Sequence, residues 1–150
     1  MKKFKKRYFF LIIVLIFGIW NLSWYAITTI KYNKYVEAIP KNKWGLHFIE
    51  KDDGYIYSVK KPDYLSFTGN LAVANNDKQE MLIVWPLITG GYEYGFRLQK
   101  DGLAYEIYVD ENLKPVSKDA TNKVSIQKVE EYKDELEALR SKADKMWDLN

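Results

Sequence analysis

The chain holds one histidine, His47, and no cysteine, and these two counts remove much of the chemistry open to a protein of this size. Thiol catalysis, cysteine-ligated zinc and multi-histidine metal sites all need side chains that are not there. His47 alone is a candidate general base, but a base of that kind works on a nucleophile and is oriented by a carboxylate, and no G-x-S-x-G elbow accompanies it. It stands beside Phe48 in an alternating stretch, where a hydrogen-bonded structural histidine is the simpler expectation. Asp52-Asp53 precedes Gly54 and reads as a turn, because Asp favours turns ahead of Gly. Asp110-Glu111-Asn112 offers oxygen ligands without the Asp-x-Asp-x-Asp-Gly spacing of a calcium loop. Gly90-Gly91 lacks the spacing and the Lys-Ser/Thr ending of a phosphate loop. No pair of carboxylates is singled out as acid and nucleophile. The residues therefore lead us to expect no catalytic site, no metal and no cofactor.

Aromatic side chains are the remaining chemical resource, with 12 Tyr and 5 Trp. Rings that combine apolar area with a polar tip can stack on a sugar or a peptide, and Tyr55, Tyr57, Trp85, Tyr92, Tyr94 and Tyr108 are placed to do so. Alternation sends most of them to the core, which leaves Trp85 and Tyr108 as the expected ligand platform.

Strands must position these rings. Tyr92, Tyr94, Phe96 and Leu98 alternate with small or polar residues, as do Leu103, Tyr105, Ile107 and Val109, and Asp101-Gly102 lies between the two runs, a strong hairpin signal. A two-residue turn there pairs Leu98 with Tyr105, Phe96 with Ile107 and Tyr94 with Val109 on one face. On the other face it sets Arg97 across from Glu106 and Gly95 across from Tyr108, whose ring can cover the bare glycine. A second hairpin is expected around Asp52-Asp53-Gly54, joining Trp44–Glu50 to Tyr55–Lys60 with Leu46 and Phe48 on the side of Tyr57 and Val59. Between the hairpins, Tyr64–Ala74 is a strand candidate through Leu65, Phe67, Leu71 and Val73. Met81–Trp85, continuously apolar, reads as a central strand ended by Pro86. A further short pairing is expected at Val116.

From Ser125, the expected N-cap, the period changes. Val129, Tyr132, Leu136, Leu139, Ala143 and Met146 recur at helical spacing, which predicts one helix of about 22 residues. Its stripe either packs on the sheet or pairs with a partner or a second copy, and Leu136, Leu139, Met146 and Trp147 are the candidate partner contacts.

The N-terminus fixes where all this is placed. Lys2, Lys3, Lys5, Lys6 and Arg7 precede an apolar run from Tyr8 to Ile30, which as a helix is about 34 Å long and enough to cross a hydrocarbon core of about 30 Å. Trp20, Trp24 and Tyr25 cluster at its far end, where amphipathic rings favour the membrane interface. A cleaved signal peptide is the rival reading, but Ala26 follows Trp24 and Tyr25 and makes no A-x-A-like site. The basic residues topologically determine a cytoplasmic N-terminus with the remainder outside. The net charge of +3 averages two unlike parts: residues 31–150 carry 18 Lys and Arg against 20 Asp and Glu, a net of −2. That part lacks the basic footprint of a nucleic-acid binder. Three Arg against 20 Lys is the bias of an AT-rich genome and points to a bacterial source.

The expected fold is α+β: a single N-terminal transmembrane helix, then a mostly antiparallel sheet of about six strands in a meander of hairpins, packed against one long C-terminal helix. Residues 1–7 are expected in the cytoplasm, 8–30 in the membrane, 31–43 in a stalk or linker, and 44–150 in an extracytoplasmic domain. The expected partners are the lipid bilayer and a protein partner or a second copy, with a glycan or peptide as the alternative ligand. The expected function is a non-enzymatic binding or assembly component at the cell envelope, ahead of a sensor or ligand-binding module and, third, an envelope hydrolase.

Overall fold

A computed structural model describes residues 2–64, 66–75 and 77–149; for Lys2, Lys3 and Phe4 it describes the backbone alone. Helix α1 (Lys2–Ala26) passes through a π-helical turn (Ile27–Lys31) into α2 (Tyr32–Glu37). The turn forms where Thr28 and Thr29 sit in a β-branched stretch, and the Thr28 hydroxyl donates back to the carbonyls of Trp24 (2.9 Å) and Tyr25 (3.2 Å), a contact that perturbs a regular helix. Pro40 lies just beyond the helix end, where the residue before a proline is driven out of helical geometry.

Six strands follow: β1 (His47–Glu50), β2 (Tyr55–Lys60), β3 (Asn70–Asn75), β4 (Glu80–Pro86), β5 (Tyr92–Lys100) and β6 (Leu103–Val109). They form one open antiparallel sheet in the order β1-β2-β3-β4-β5-β6. The β5–β6 register is the one that alternation and the Asp-Gly turn predict, with Leu98 opposite Tyr105, Phe96 opposite Ile107, Tyr94 opposite Val109 and Arg97 opposite Glu106. Asp101 (φ 52°) and Gly102 (φ 76°) both occupy the left-handed region, as a tight two-residue hairpin turn requires. Past β6, Pro115 bridges to Val109 and the Val116 N–H donates to Tyr108.

The first hairpin departs from its expected register. Phe48 faces Ser58, and Ile49 faces Tyr57, so Phe48 lies on the face opposite Tyr57 and Val59. Lys51 bonds to Tyr55 and Gly54 to Lys51, and Gly54 is at φ 78°. The loop closes over three residues, Asp52 to Gly54, and with that loop length Phe48 falls on the other face from the one expected, since one residue of slip exchanges the faces of a strand. The strand expected over Tyr64–Ala74 begins only at Asn70, since residues 61–64 and 66–69 lie outside the sheet, toward α1; Leu65 lies outside the described residues.

Residues 31–43, expected as a stalk, belong in large part to the domain. Tyr32, Tyr35 and Ile39 are at most 2% exposed and sit in the same core as Leu71, Leu82, Phe96 and Leu136. The physical reason is the helical spacing of Tyr32, Tyr35 and Val36 on one side of α2, with Ile39 just past its end, which continues an apolar face past the charged Lys31 and Lys34. The Tyr32 hydroxyl accepts the Gly69 N–H at 2.7 Å, and that of Tyr35 lies 3.2 Å from the Tyr92 hydroxyl.

The single C-terminal helix is also corrected, to two: α3 (Lys123–Glu131) and α4 (Lys133–Trp147), preceded by a 3-10 turn (Ser117–Thr121) and broken at Tyr132 (φ −110°, ψ 27°). The break lets α3 lie against β6 while α4 crosses β3 and β4, and it places the Tyr132 ring 6.4 Å from that of Phe96. The N-cap is Asn122, whose side chain accepts from Val124 and Ser125. Ser125, the expected cap, instead donates to the buried Asp119 carboxylate at 2.7 Å.

Candidate functional site

All helix packing falls on one face of the sheet: the core joins Tyr57, Val73, Val84 and Tyr94 to α2, α3 and α4. Among the described residues no helix packs on the other face. Pairing sets a row across that face, Phe48, Ser58, Ala72, Ile83, Gly95 and Tyr108. Ala72 and Ile83 are buried yet lie outside the core cluster, so they form the closed floor of an apolar band that no described helix covers. Phe48 is 43% exposed at one end of it.

Trp85 and Tyr108 close the other end. Their rings are 5.7 Å apart at 21° between planes. The indole, rather than the Tyr108 ring expected there, lies over Gly95: a Cβ on that glycine would fall 2.7 Å and 2.8 Å from Cη2 and Cζ3 of Trp85. Beyond this band the face turns polar, with Arg97 bonded to Glu106 at 2.8 Å. A depression of about 770 Å³ there is bordered by Met81, Arg97, Gln99 and Glu106. A flat apolar strip with a polar border can cover another apolar surface or a sugar ring; it holds no pair of groups set up to move a proton.

The residues singled out for chemistry are not brought together. His47 Nδ1 lies 2.8 Å from the Ile39 carbonyl, which can only accept, so this nitrogen carries the proton and ties the end of the α2 segment to β1. Among the described residues His47 bonds to no serine or carboxylate. Asp53 pairs with Lys142 of α4 and accepts the Tyr55 N–H. The Lys142 hydrogen bond holds its carboxyl below the ordinary value. Asp110 accepts the N–H groups of Asn112 and Lys114 and so serves its own turn. Among the described residues no three His, Asp or Glu side chains gather as a metal site would need.

Comparison with known proteins finds no matching family model, curated protein or solved structure.

The helical stripe offered as a partner contact is internal. Leu136, Leu139 and Trp147 are at most 4% exposed in the core, and Met146 packs against it, because α4 lays that stripe over β3 and β4. Of the two expectations for this stripe, packing on the sheet and pairing with a partner or a second copy, the burial of these side chains fits the first. Arg140 and Asp144, paired at 2.9 Å, accompany it, with the guanidinium 4.2 Å from the centre of the Tyr94 ring.

Sequence reasoning missed two buried carboxylates, Asp119, which accepts from Ser125 and the Tyr108 N–H, and Glu80. Glu80, at the start of β4, is 4% exposed. Burial raises its carboxyl above the ordinary value, and the Glu135 carboxylate on α4 adds to this against the opposing pull of Lys78 and Lys100. The signal for Glu80 was available only as a lone acid heading an otherwise apolar strand.

Among the described residues one helix is long and apolar enough to cross a membrane, in the continuous helical stretch Lys5–Glu37. Tyr25 is exposed on it, while Trp20 and Trp24 face the loop 61–69: the Trp20 ring lies 4.7 Å from Phe67, and that of Trp24 lies 5.3 Å from Tyr64. Lys5, Lys6 and Arg7 are exposed; the side chains of Lys2 and Lys3 lie outside the described residues.

Proposed function

We propose that the chain is a single-pass membrane protein with a cytoplasmic N-terminus, whose domain acts outside the membrane as a non-enzymatic binding or assembly component of a bacterial cell envelope. The observation that carries the binding reading is the uncovered apolar band from Phe48 to Tyr108, on a sheet whose other face is fully used by helices. Within this band Ala72, Ile83 and Gly95 are buried and Phe48 is exposed at its rim; exposed apolar side chains on a face that no helix covers mark contact surfaces. Retention of α1 is supported by the ties of Trp20, Asn21 and Trp24 to the domain, which cleavage near Ala26 would remove. Orientation rests on the basic residues ahead of the span.

The test is extraction of the full-length protein in mild detergent from its native membrane, followed by mass spectrometry of what co-purifies near unit stoichiometry. A partner lost in Phe48→Glu with Met81→Glu, and kept in Lys145→Glu, supports assembly through the open face. A partner retained by the face variant removes that face from the proposal. A second reading, a module for envelope glycan or peptide, draws on Trp85 and Tyr108 lying side by side at the end of the band. It requires that wall fragments quench tryptophan emission in the parent and not in Trp85→Phe.

A further inference from the structure

The loop 61–69 descends onto the apolar helix at a level that, for a retained span, lies inside the bilayer. A hydrocarbon layer of about 30 Å holds about 20 helical residues. Starting at Tyr8, directly after Arg7, it ends near residue 27, so Trp20 and Trp24 lie about 10 Å and 5 Å short of its far boundary. Tilt moves that boundary toward Ile30 and sets them deeper.

At this depth the loop meets the helix through polar bonds as well as rings. The Trp24 indole N–H donates to the Asp63 carbonyl at 3.0 Å. The Tyr64 hydroxyl donates to Asn21 Oδ1 at 2.7 Å, and Asn21 Nδ2 donates to the Phe17 carbonyl at 2.7 Å. Asn21, a polar interruption of the apolar run, is thus provided with partners. The loop also bonds to itself: Ser66 N–H to the Asp63 carbonyl (2.8 Å), Ser66 Oγ to the Thr68 carbonyl (3.1 Å) and Thr68 N–H to Ser66 Oγ (3.1 Å). Backbone groups near hydrocarbon need such internal partners, since lipid supplies none. A second loop stands at the same end of the sheet. Lys31, the first charge after the apolar run, donates to the Leu87 carbonyl, and the adjacent Ile88 is 58% exposed.

We infer that the loop residues 61–64 and 66–69, together with Ile88, are a second membrane-contact surface that seats the domain in the lipid interface on its own side of the bilayer. Tyr64 and Phe67 extend the aromatic belt begun by Trp20 and Trp24, and rings of this type favour that interface. The inference rests on the reading of α1 as a retained span. It adds that lipid, rather than a linker, sets the height of the domain.

Absence of native cysteine makes the test direct. Full-length variants Thr68→Cys and Ile88→Cys are labelled with an environment-sensitive fluorophore and reconstituted in phosphatidylcholine vesicles. Asp52→Cys, at the opposite end of the sheet, and Ile16→Cys, within the run, serve as references; each labelled protein must retain the parent circular dichroism. The expected result is that probes at 68 and 88 are quenched by lipids spin-labelled near the headgroup and are several-fold less accessible to aqueous iodide than the probe at 52. Iodide access at 68 and 88 equal to that at 52, with the probe at 16 still quenched by lipid spin-labelled at mid-chain, overturns the seat and leaves the span standing. Iodide access at 16 as well overturns the span itself, and the seat with it.

Discussion

Replacing Gly95 by alanine should destabilise the protein, and the same replacement should stabilise it once Trp85 is gone. A Cβ at position 95 falls 2.7 Å from Cη2 and 2.8 Å from Cζ3 of Trp85, well inside van der Waals contact, so the indole must leave its place between Gly95 and Tyr108. Overpacking of this size costs about 1–3 kcal/mol. In the Trp85→Ala background the space is open and the intrinsic preference decides: alanine in a strand interior is favoured over glycine by about 0.5–1 kcal/mol. The double-mutant cycle then shows a coupling of about 1.5–4 kcal/mol between positions two strand residues apart on neighbouring strands. The assay is guanidinium unfolding of the full chain in mild detergent, followed by far-ultraviolet circular dichroism because Trp85 is itself varied. A Gly95→Ala effect of the same sign in both backgrounds refutes the placement of the indole over Gly95.

Leu136→Ala, at a fully buried site of α4, should cost about 2–5 kcal/mol and Leu136→Asp should abolish the cooperative transition, while Phe48→Glu on the open face should leave the thermal midpoint almost unchanged; differential scanning calorimetry separates the three. Tyr32→Phe removes the acceptor of the buried Gly69 N–H and should cost about 1–3 kcal/mol, with faster amide exchange at Gly69 as the local readout. Glu80 holds its proton more tightly in the folded chain than in the unfolded one, so its contribution is most favourable below the ordinary carboxylate range and is lost as pH rises through the raised value. Thermal melts of Glu80→Gln against the parent should therefore show a stabilisation that grows from acid to neutral pH; a constant difference contradicts the shift.

Much of the sheet was legible because its information is local. Asp101-Gly102 between two alternating runs fixes turn, register and both faces of β5 and β6. The same logic failed at Asp52-Asp53-Gly54, where one more loop residue decides which face Phe48 joins, and the alternation of β1 is too short to overrule either outcome. Helical period identified the stripe from Val129 to Met146, but not the break at Tyr132, which follows from lying across β6 and then over β3 and β4. What periodicity could not reveal was long-range contact. Nothing local says that Tyr32 reaches Gly69 or that Tyr35 reaches Tyr92, and these contacts turn an apparent stalk into core. For the candidate site, Trp85 and Tyr108 were recognisable as a pair, whereas Phe48, Ala72 and Ile83 joined them only once six strands were set side by side.

The π-helical turn at Ile27–Lys31 fixes an angle. A π turn takes up one residue more than the α-helix around it, and each residue of an α-helix carries about 100° of rotation about the axis. Because helix runs unbroken from α1 through the turn into α2 and α2 is locked into the core, that rotation passes undiminished to the whole domain. The compass direction in which the open sheet face looks, relative to the flank of the span that carries Tyr25 and Ile30, is therefore set by a single residue. For the membrane-held domain proposed above, one deletion or insertion between Ile27 and Lys31 would leave every side chain of the face intact and turn it to a different bearing about the helix axis.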